Sequence, residues 1–291
     1  MSGKPALLLI GHGSRSEAGV TQFWQFADVL QLAAPHLQIG SGLIEFAPPS
    51  LDEAIDTLVA EGAAGVVAVP LVLLGAGHMK DDGPAALARA RTRHPELPFA
   101  YARDLGVHPL VLEAIEAKAR MAVQRLPRRA EPTKTAIVLV GRGSTDPDAN
   151  ADLYKAARLL ADHRSIGGDE TLDEVQPAFV SLARPSVAEA LNRVRSLGAS
   201  RVAVVPYFLF TGILVDRMAD EANEWASAHR EVELVFGEEI GPDAHIAQLV
   251  LERFEEAVAG EARMNCDACC YRVPMPGYED RVGSPPAGPP G

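Results

Sequence analysis

No apolar run in this chain is long enough to cross a membrane. The longest uncharged stretch, residues 62–77, contains Gly and Pro and falls short of the roughly 20 residues a spanning helix needs. Near the start only Ala6 to Ile10 is apolar, too short for the core of a secretory signal. Cysteine is scarce: all three lie between positions 266 and 270, so no disulfide framework is spread through a domain. Together these absences lead to the expectation of a cytoplasmic protein. Basic charge is also in deficit. The 27 Lys and Arg against 39 Asp and Glu leave a net charge of −12, without the basic footprint of a nucleic-acid binder. No G-x-x-x-x-G-K-[S/T] cradle for a nucleotide phosphate occurs, and Gly11-His12-Gly13 does not continue into G-x-G-x-x-G because position 16 is Ser. Nucleotide hydrolysis and nicotinamide chemistry therefore have no visible motif.

What is present is a duplication. Ile10-Gly11-His12-Gly13-Ser14 returns as Val140-Gly141-Arg142-Gly143-Ser144, and Pro49-Ser50-Leu51-Asp52-Glu53-Ala54 returns as Pro185-Ser186-Val187-Ala188-Glu189-Ala190. Val69-Pro70-Leu71-Val72-Leu73 returns as Val205-Pro206-Tyr207-Phe208-Leu209. A chain of 291 residues accommodates two domains of ordinary size. The repeat sets them at residues 1–126 and 133–260, joined through the Pro- and Arg-containing segment 126–132. Beyond residue 260 the pattern fails, and the Pro/Gly-rich end is expected to lack fixed structure.

Within each half, apolar runs of five to eight residues alternate with amphipathic segments of ten or more, the mark of βαβ units. The expected strands are Ala6–Ile10, Gly42–Phe46, Gly65–Leu74 and Phe99–Ala102, then Ala136–Val140, Val175–Val180, Val202–Phe210 and Val232–Phe236. Runs apolar on both faces suit a parallel sheet covered by helices on each side. Ser50 with Glu53 and Ser186 with Glu189 are capping boxes that open helices at matching places. The fold class is α/β: two duplicated domains, each a four-stranded, mainly parallel sheet flanked by helices, related by a pseudo-two-fold.

Ligands of open parallel sheets bind beyond the carboxyl ends of the strands. His12 follows the first strand, Glu45 lies near the end of the second, and His78 follows the third. Aligned with the second half, they stand opposite Arg142, Ser181 and Leu214. One copy thus carries three potential metal ligands and the other none. Two imidazoles and a carboxylate suit a borderline divalent ion such as cobalt, nickel, zinc or iron(II), and three protein ligands leave positions open for exchange. Gly11 and Gly13 allow a tight turn, and Gly75 and Gly77 allow a flat ligand close to the backbone.

Leu9-Ile10-Gly11-His12-Gly13-Ser14-Arg15, Ile44-Glu45-Phe46-Ala47-Pro48-Pro49-Ser50 and Pro70-Leu71-Val72-Leu73-Leu74-Gly75-Ala76-Gly77-His78 resemble the class II tetrapyrrole chelatases, the CbiX/SirB-type sirohydrochlorin chelatases. The resemblance covers about residues 5–260, duplication included. It implies ATP-independent insertion of a divalent metal, cobalt first and iron next, into sirohydrochlorin in cobalamin or siroheme biosynthesis. In that reading His12 is general base and metal ligand, His78 the second metal histidine, and Glu45 the acidic residue near the metal. The macrocycle lies against Val72, Leu73, Leu74, Gly75, Ala76 and Gly77, in a cleft that the two domains would form. Ser14, Arg15 and Arg184 are further expected substrate contacts, with Lys80 and Arg142 as additional donors to the substrate carboxylates. A monomer or a homodimer would serve.

Long-form members of the family carry a segment like Met264-Asn265-Cys266-Asp267-Ala268-Cys269-Cys270, associated with an iron–sulfur cluster. Cys266, Cys269 and Cys270 would supply three ligands where four are usual, and a zinc or cobalt scavenger or a reactive thiol cluster is the alternative. Two other functions remain open at this point. The same triad would serve a metallochaperone or tetrapyrrole carrier, and His12 would be the nucleophile of a phosphotransfer enzyme, for which only Arg15 is close in sequence.

Overall fold

A computed structural model describes residues 3–127, 133–162, 172–263, 276–277 and 279–281. The chain builds two four-stranded sheets, every pairing parallel. The first has the order β2-β1-β3-β4, formed by β1 (Ala6–Gly11), β2 (Ile39–Leu43), β3 (Val66–Pro70) and β4 (Phe99–Tyr101). The second has the order β6-β5-β7-β8, formed by β5 (Lys134–Gly141), β6 (Leu172–Phe179), β7 (Ala199–Pro206) and β8 (Glu233–Phe236).

Helices α1 (Glu17–Ala33), α2 (Leu51–Ala60), α3 (Gly77–Lys80), α4 (Asp82–Arg93) and α5 (Pro109–Gln124) belong to the first half of the chain. The second half contributes α6 (Pro147–Asp162), α7 (Val187–Ser196), α8 (Ile213–Ala228) and α9 (Ala244–Val258). Alternation along β1 explains the layers. Ala6, Leu8 and Ile10 pack with Leu51, Ile55 and Leu58 of α2 and Ala86, Leu87 and Ala90 of α4. Leu7 and Leu9 are equally buried and point to the opposite face. On β5, Ala136, Val138 and Val140 meet α7 and α8 in the same way. Both capping boxes form: Ser50 N–H donates to Glu53 Oε2 at 2.7 Å, and Ser186 N–H to Glu189 Oε2 at 2.8 Å.

Compact units and sequence halves do not coincide. One unit contains residues 1–106 and 242–291, the other residues 107–241. Helix α5 packs on β7, β8 and α6, while α9 packs on α1, β3 and β4. Each half has given its last helix to the other half's sheet. Arg253 on α9 shows how firmly the exchange is made: 2 % exposed, it donates from Nε to Asp104 O and from Nη2 to Leu105 O, both at 2.9 Å.

Several expected boundaries move. Strand β2 ends at Leu43, three residues before the expected end, so Glu45 follows it rather than lying within it. Strand β3 stops at Pro70, and Leu71–Leu74 leave the ladder: Leu71 N–H donates to Ile10 O at 2.8 Å and Val72 N–H to Pro70 O at 3.0 Å. His94 and His229 end α4 and α8, and His108 caps α5 by accepting from Leu110 N–H at 3.3 Å.

Candidate metal-handling rim

In the order β2-β1-β3-β4 the chain departs from β1 in both directions, so the carboxyl ends of β1 and β3 flank a switch point, where open α/β sheets bind ligands. His12 leaves β1 there, half-buried, with Nδ1 shielded from solvent. Its carbonyl accepts from Glu45 N–H at 3.0 Å, and Gly11 O accepts from Ile44 N–H at 2.9 Å, which ties the β1 and β2 exits together. Gly13 makes this closeness feasible. Its φ is +91°, and a Cβ at that position would overlap the Glu45 carbonyl oxygen. His12 and Glu45 are therefore neighbours by backbone.

Residues 71–80 form the third part of the rim. Leu73 and Gly75 are buried, while Val72, Leu74, Ala76 and Gly77 are half-buried and form the accessible part of the loop. Two side chains at the end of β4 hold this loop. Asp104 Oδ2 accepts from Gly75 N–H at 2.8 Å, and Tyr101 Oη donates to Met79 O at 2.8 Å. His78 sits between these anchors, in the single turn of α3. Burial, with the Asp104 and Asp82 carboxylates, pushes the Tyr101 phenol far above its usual range, so the hydroxyl stays protonated and donates. Among the described residues no three His, Cys, Asp or Glu side chains form a metal cage. The His78 side chain lies outside that description, and the backbone alone places this member of the expected set.

The other expected contacts divide. Ser14 Oγ accepts from Ser16 N–H at 3.0 Å and shapes the turn after His12. Arg15 is exposed, its guanidinium 5.1 Å from the centre of the Phe46 ring, itself exposed on a left-handed residue with φ 69°. Arg184 is exposed and ion-paired with Glu189, so its charge is shared with the capping box of α7. Lys80 lies in α3 beside His78, and Arg142 is exposed after β5. Cys266, Cys269 and Cys270 lie outside the described residues.

The second copy reproduces the scaffold without the ligands. Ser181 N–H donates to Arg142 O at 3.0 Å, Gly143 has φ +85°, and a Cβ there would overlap the Ser181 carbonyl oxygen. Arg142 and Ser181 thus occupy the backbone places of His12 and Glu45. Sequence reasoning passed over Tyr101 and Asp104. The strand register brings the first of them out: Tyr101 pairs with Ala68 as Phe236 pairs with Val204, so the two copies differ there by one hydroxyl.

Two parallel α/β units of the same strand order, with imidazole and carboxylate beside one switch point, define a duplicated α/β protein whose candidate site lies in its first copy. The CbiX family model matches residues 6–122 and again residues 136–257, and the chain belongs to that family. It is 35% identical over 269 residues to the sirohydrochlorin cobaltochelatase of Priestia megaterium, covering 92% of this chain and 85% of that one. It is 28% identical over 272 residues to the sirohydrochlorin ferrochelatase of Bacillus subtilis, covering 92% and 98%. Among solved structures, SirB from Bacillus subtilis subspecies spizizenii in complex with cobalt is 28% identical and superposes with a TM-score of 0.69 over 88% of this chain and 96% of that one. SirB from Bacillus subtilis with Fe3+ is 27% identical, with a TM-score of 0.73 over 90% and 100%.

Proposed function

We propose that this chain inserts a divalent metal into sirohydrochlorin, with His12, Glu45 and His78 handling the ion at the β1/β3 rim of the first unit. The carrying observation is the asymmetric duplication. The Gly11–Glu45 scaffold recurs hydrogen bond for hydrogen bond around Gly141–Ser181, while imidazole and carboxylate are kept once. The match of both halves to CbiX and the 35% identity to a cobaltochelatase support the activity and favour cobalt, with iron second in view of the ferrochelatase relative.

The chemistry is a proton-for-metal exchange. Two pyrrole N–H protons leave as two nitrogen–metal bonds form, so one M2+ enters and two H+ depart with no redox change and no nucleotide. A neutral imidazole at His12 accepts one of these protons or holds the ion until the macrocycle nitrogens displace it. Glu45, a backbone neighbour of His12, holds the ion alongside or takes the second proton. Arg15, Lys80, Arg142 and Arg184 are the cations offered to the substrate carboxylates; Arg184 does so in competition with Glu189. No helix among the described residues is long and apolar enough to cross a membrane. Cys266, Cys269 and Cys270 supply three of the four ligands an iron–sulfur cluster usually takes, and iron and sulfide analysis of anaerobically purified protein tests whether they hold one.

The deciding experiment mixes the protein anaerobically with sirohydrochlorin and Co2+, Fe2+ or Ni2+ and follows the tetrapyrrole absorption. Turnover should be fastest with Co2+. His12→Ala should remove insertion while the fold persists, and His78→Ala should weaken metal binding and turnover together. Near-normal rates in both variants would remove the site, and binding of the tetrapyrrole without any spectral sign of insertion would leave a carrier.

A further inference from the structure

The duplication also shows which residues serve the metal rim rather than the fold. In the first copy the helix after the rim loop is broken: α3 is one turn, Gly77–Lys80, and α4 begins at Asp82. In the second copy α8 runs unbroken from Ile213 to Ala228, its start set in the same way, since Asp216 N–H donates to Gly212 O at 3.1 Å as Lys80 N–H donates to Ala76 O at 3.0 Å. Two differences accompany the break. Where the first copy has Tyr101, the second has Phe236 at the same register position. Where α4 has Gly83, α8 carries no glycine anywhere along its length. They are linked physically, because a Cβ on Gly83 would overlap Tyr101 Oη and lie 2.7 and 2.8 Å from its ring carbons Cζ and Cε2.

Asp104, by contrast, stands opposite Glu239: Leu105 N–H donates to Val72 O just as Ile240 N–H donates to Phe208 O, both at 3.0 Å. A carboxylate at that place is common to both copies. The hydroxyl, its glycine niche and the helix break are confined to the copy with the histidines.

We infer that Tyr101 is a positioning residue for metal insertion, its hydroxyl, admitted by Gly83, fixing the Met79 carbonyl and with it the turn that carries His78. The inference rests on His78 being a metal ligand. A peptide carbonyl held by a protonated phenol cannot rotate with the turn, so the histidine backbone is set before the ion arrives. Preorganised ligands bind more tightly because less freedom is lost on binding.

The test is a cycle on the full chain, read by direct titration with Co2+ in the absence of tetrapyrrole and by thermal unfolding. Tyr101→Phe should raise the Co2+ dissociation constant about three- to tenfold, the scale of one hydrogen bond. Gly83→Ala should weaken Co2+ binding to a similar degree by displacing the hydroxyl. The double variant Tyr101→Phe/Gly83→Ala, its folded fraction taken from thermal unfolding, should bind Co2+ no more weakly than the more affected single variant, because the two changes act on one contact. In a His78→Ala background, Tyr101→Phe should change Co2+ affinity less than twofold. Unchanged affinity in Tyr101→Phe, or an additive further loss in the double variant, overturns the positioning role. If His78→Ala itself leaves Co2+ binding intact, the failure lies in the assignment of His78 instead.

Discussion

Replacing Gly13 by alanine, with the same change at Gly143 as its internal control, separates what the scaffold requires from what the rim requires. Both glycines have positive φ, +91° and +85°, and at both a Cβ would overlap a carbonyl oxygen, that of Glu45 or of Ser181. The conformational strain is about 1–2 kcal/mol for an L-residue in this region. Moving the carbonyl-bearing strand exit also endangers one backbone hydrogen bond, Glu45 N–H to His12 O or Ser181 N–H to Arg142 O, worth about 1 kcal/mol. Each variant should therefore lose about 2–3 kcal/mol, or about 5–10 °C in thermal midpoint for a unit of this size. Their catalytic consequences should diverge. Gly13→Ala shifts His12 against Glu45, and a displacement near 1 Å of reacting groups costs about 100-fold in rate. Gly143→Ala moves Arg142, one of the cations offered to the substrate carboxylates, so it should raise KM for sirohydrochlorin but leave insertion at saturating sirohydrochlorin within about threefold of the parent after correction for the folded fraction. Circular dichroism melts give the stabilities, and the tetrapyrrole absorption change gives the rates. Equal rate losses in the two variants would refute the reasoning, as would normal insertion by Gly13→Ala despite a lowered melting point.

Two further outcomes follow from packing and charge. Arg253→Leu removes a buried guanidinium and leaves the Asp104 and Leu105 carbonyls without its donors, so it should destabilise the first unit by about 3–5 kcal/mol, measured by urea unfolding. Burial alone would raise the pKa of Asp52, but hydrogen bonds from Arg89 and Arg93 hold its carboxyl below the usual aspartate range. A carboxylate depressed in the folded state stabilises above its unfolded pKa, and that contribution is lost as pH falls through the folded value. The gap between parent and Asp52→Asn in thermal midpoint should thus be present at neutral pH and close as pH drops below about 4.

The apolar alternation and the two S-x-x-E boxes made the layers readable, since both follow from local chemistry. Strand β2 was less legible because Gly40 and Gly42 stand in its middle, and glycine is depleted in strands. The structure supplies their reason: a Cβ on Gly40 would lie 2.9 Å from Leu58 and one on Gly42 3.0 Å from Ala54, so α2 packs on this edge strand only where side chains are absent. The placement of His12 beside Glu45 was legible because strand ends in parallel sheets gather at one rim. The partnership of Tyr101 with Met79 was not, because a tyrosine at the end of a short edge strand looks the same whether its hydroxyl meets water or a carbonyl. Helix exchange was invisible for a related reason. An amphipathic stripe on α5 or α9 says that one face is covered and nothing about which sheet covers it.

The exchange makes the order of synthesis matter. The first sheet, complete in its strands once residue 101 is made, cannot receive α9 until residues 244–258 have left the ribosome, more than 140 positions later. Until then the surface that α9 covers on α1, β3 and β4 stays open. A nascent chain halted between the repeats would expose an apolar face of β3 and have no sheet on which to lay α5. The two lobes therefore mature together, and a proteolytic fragment ending at the junction is expected to aggregate rather than survive as a small chelatase.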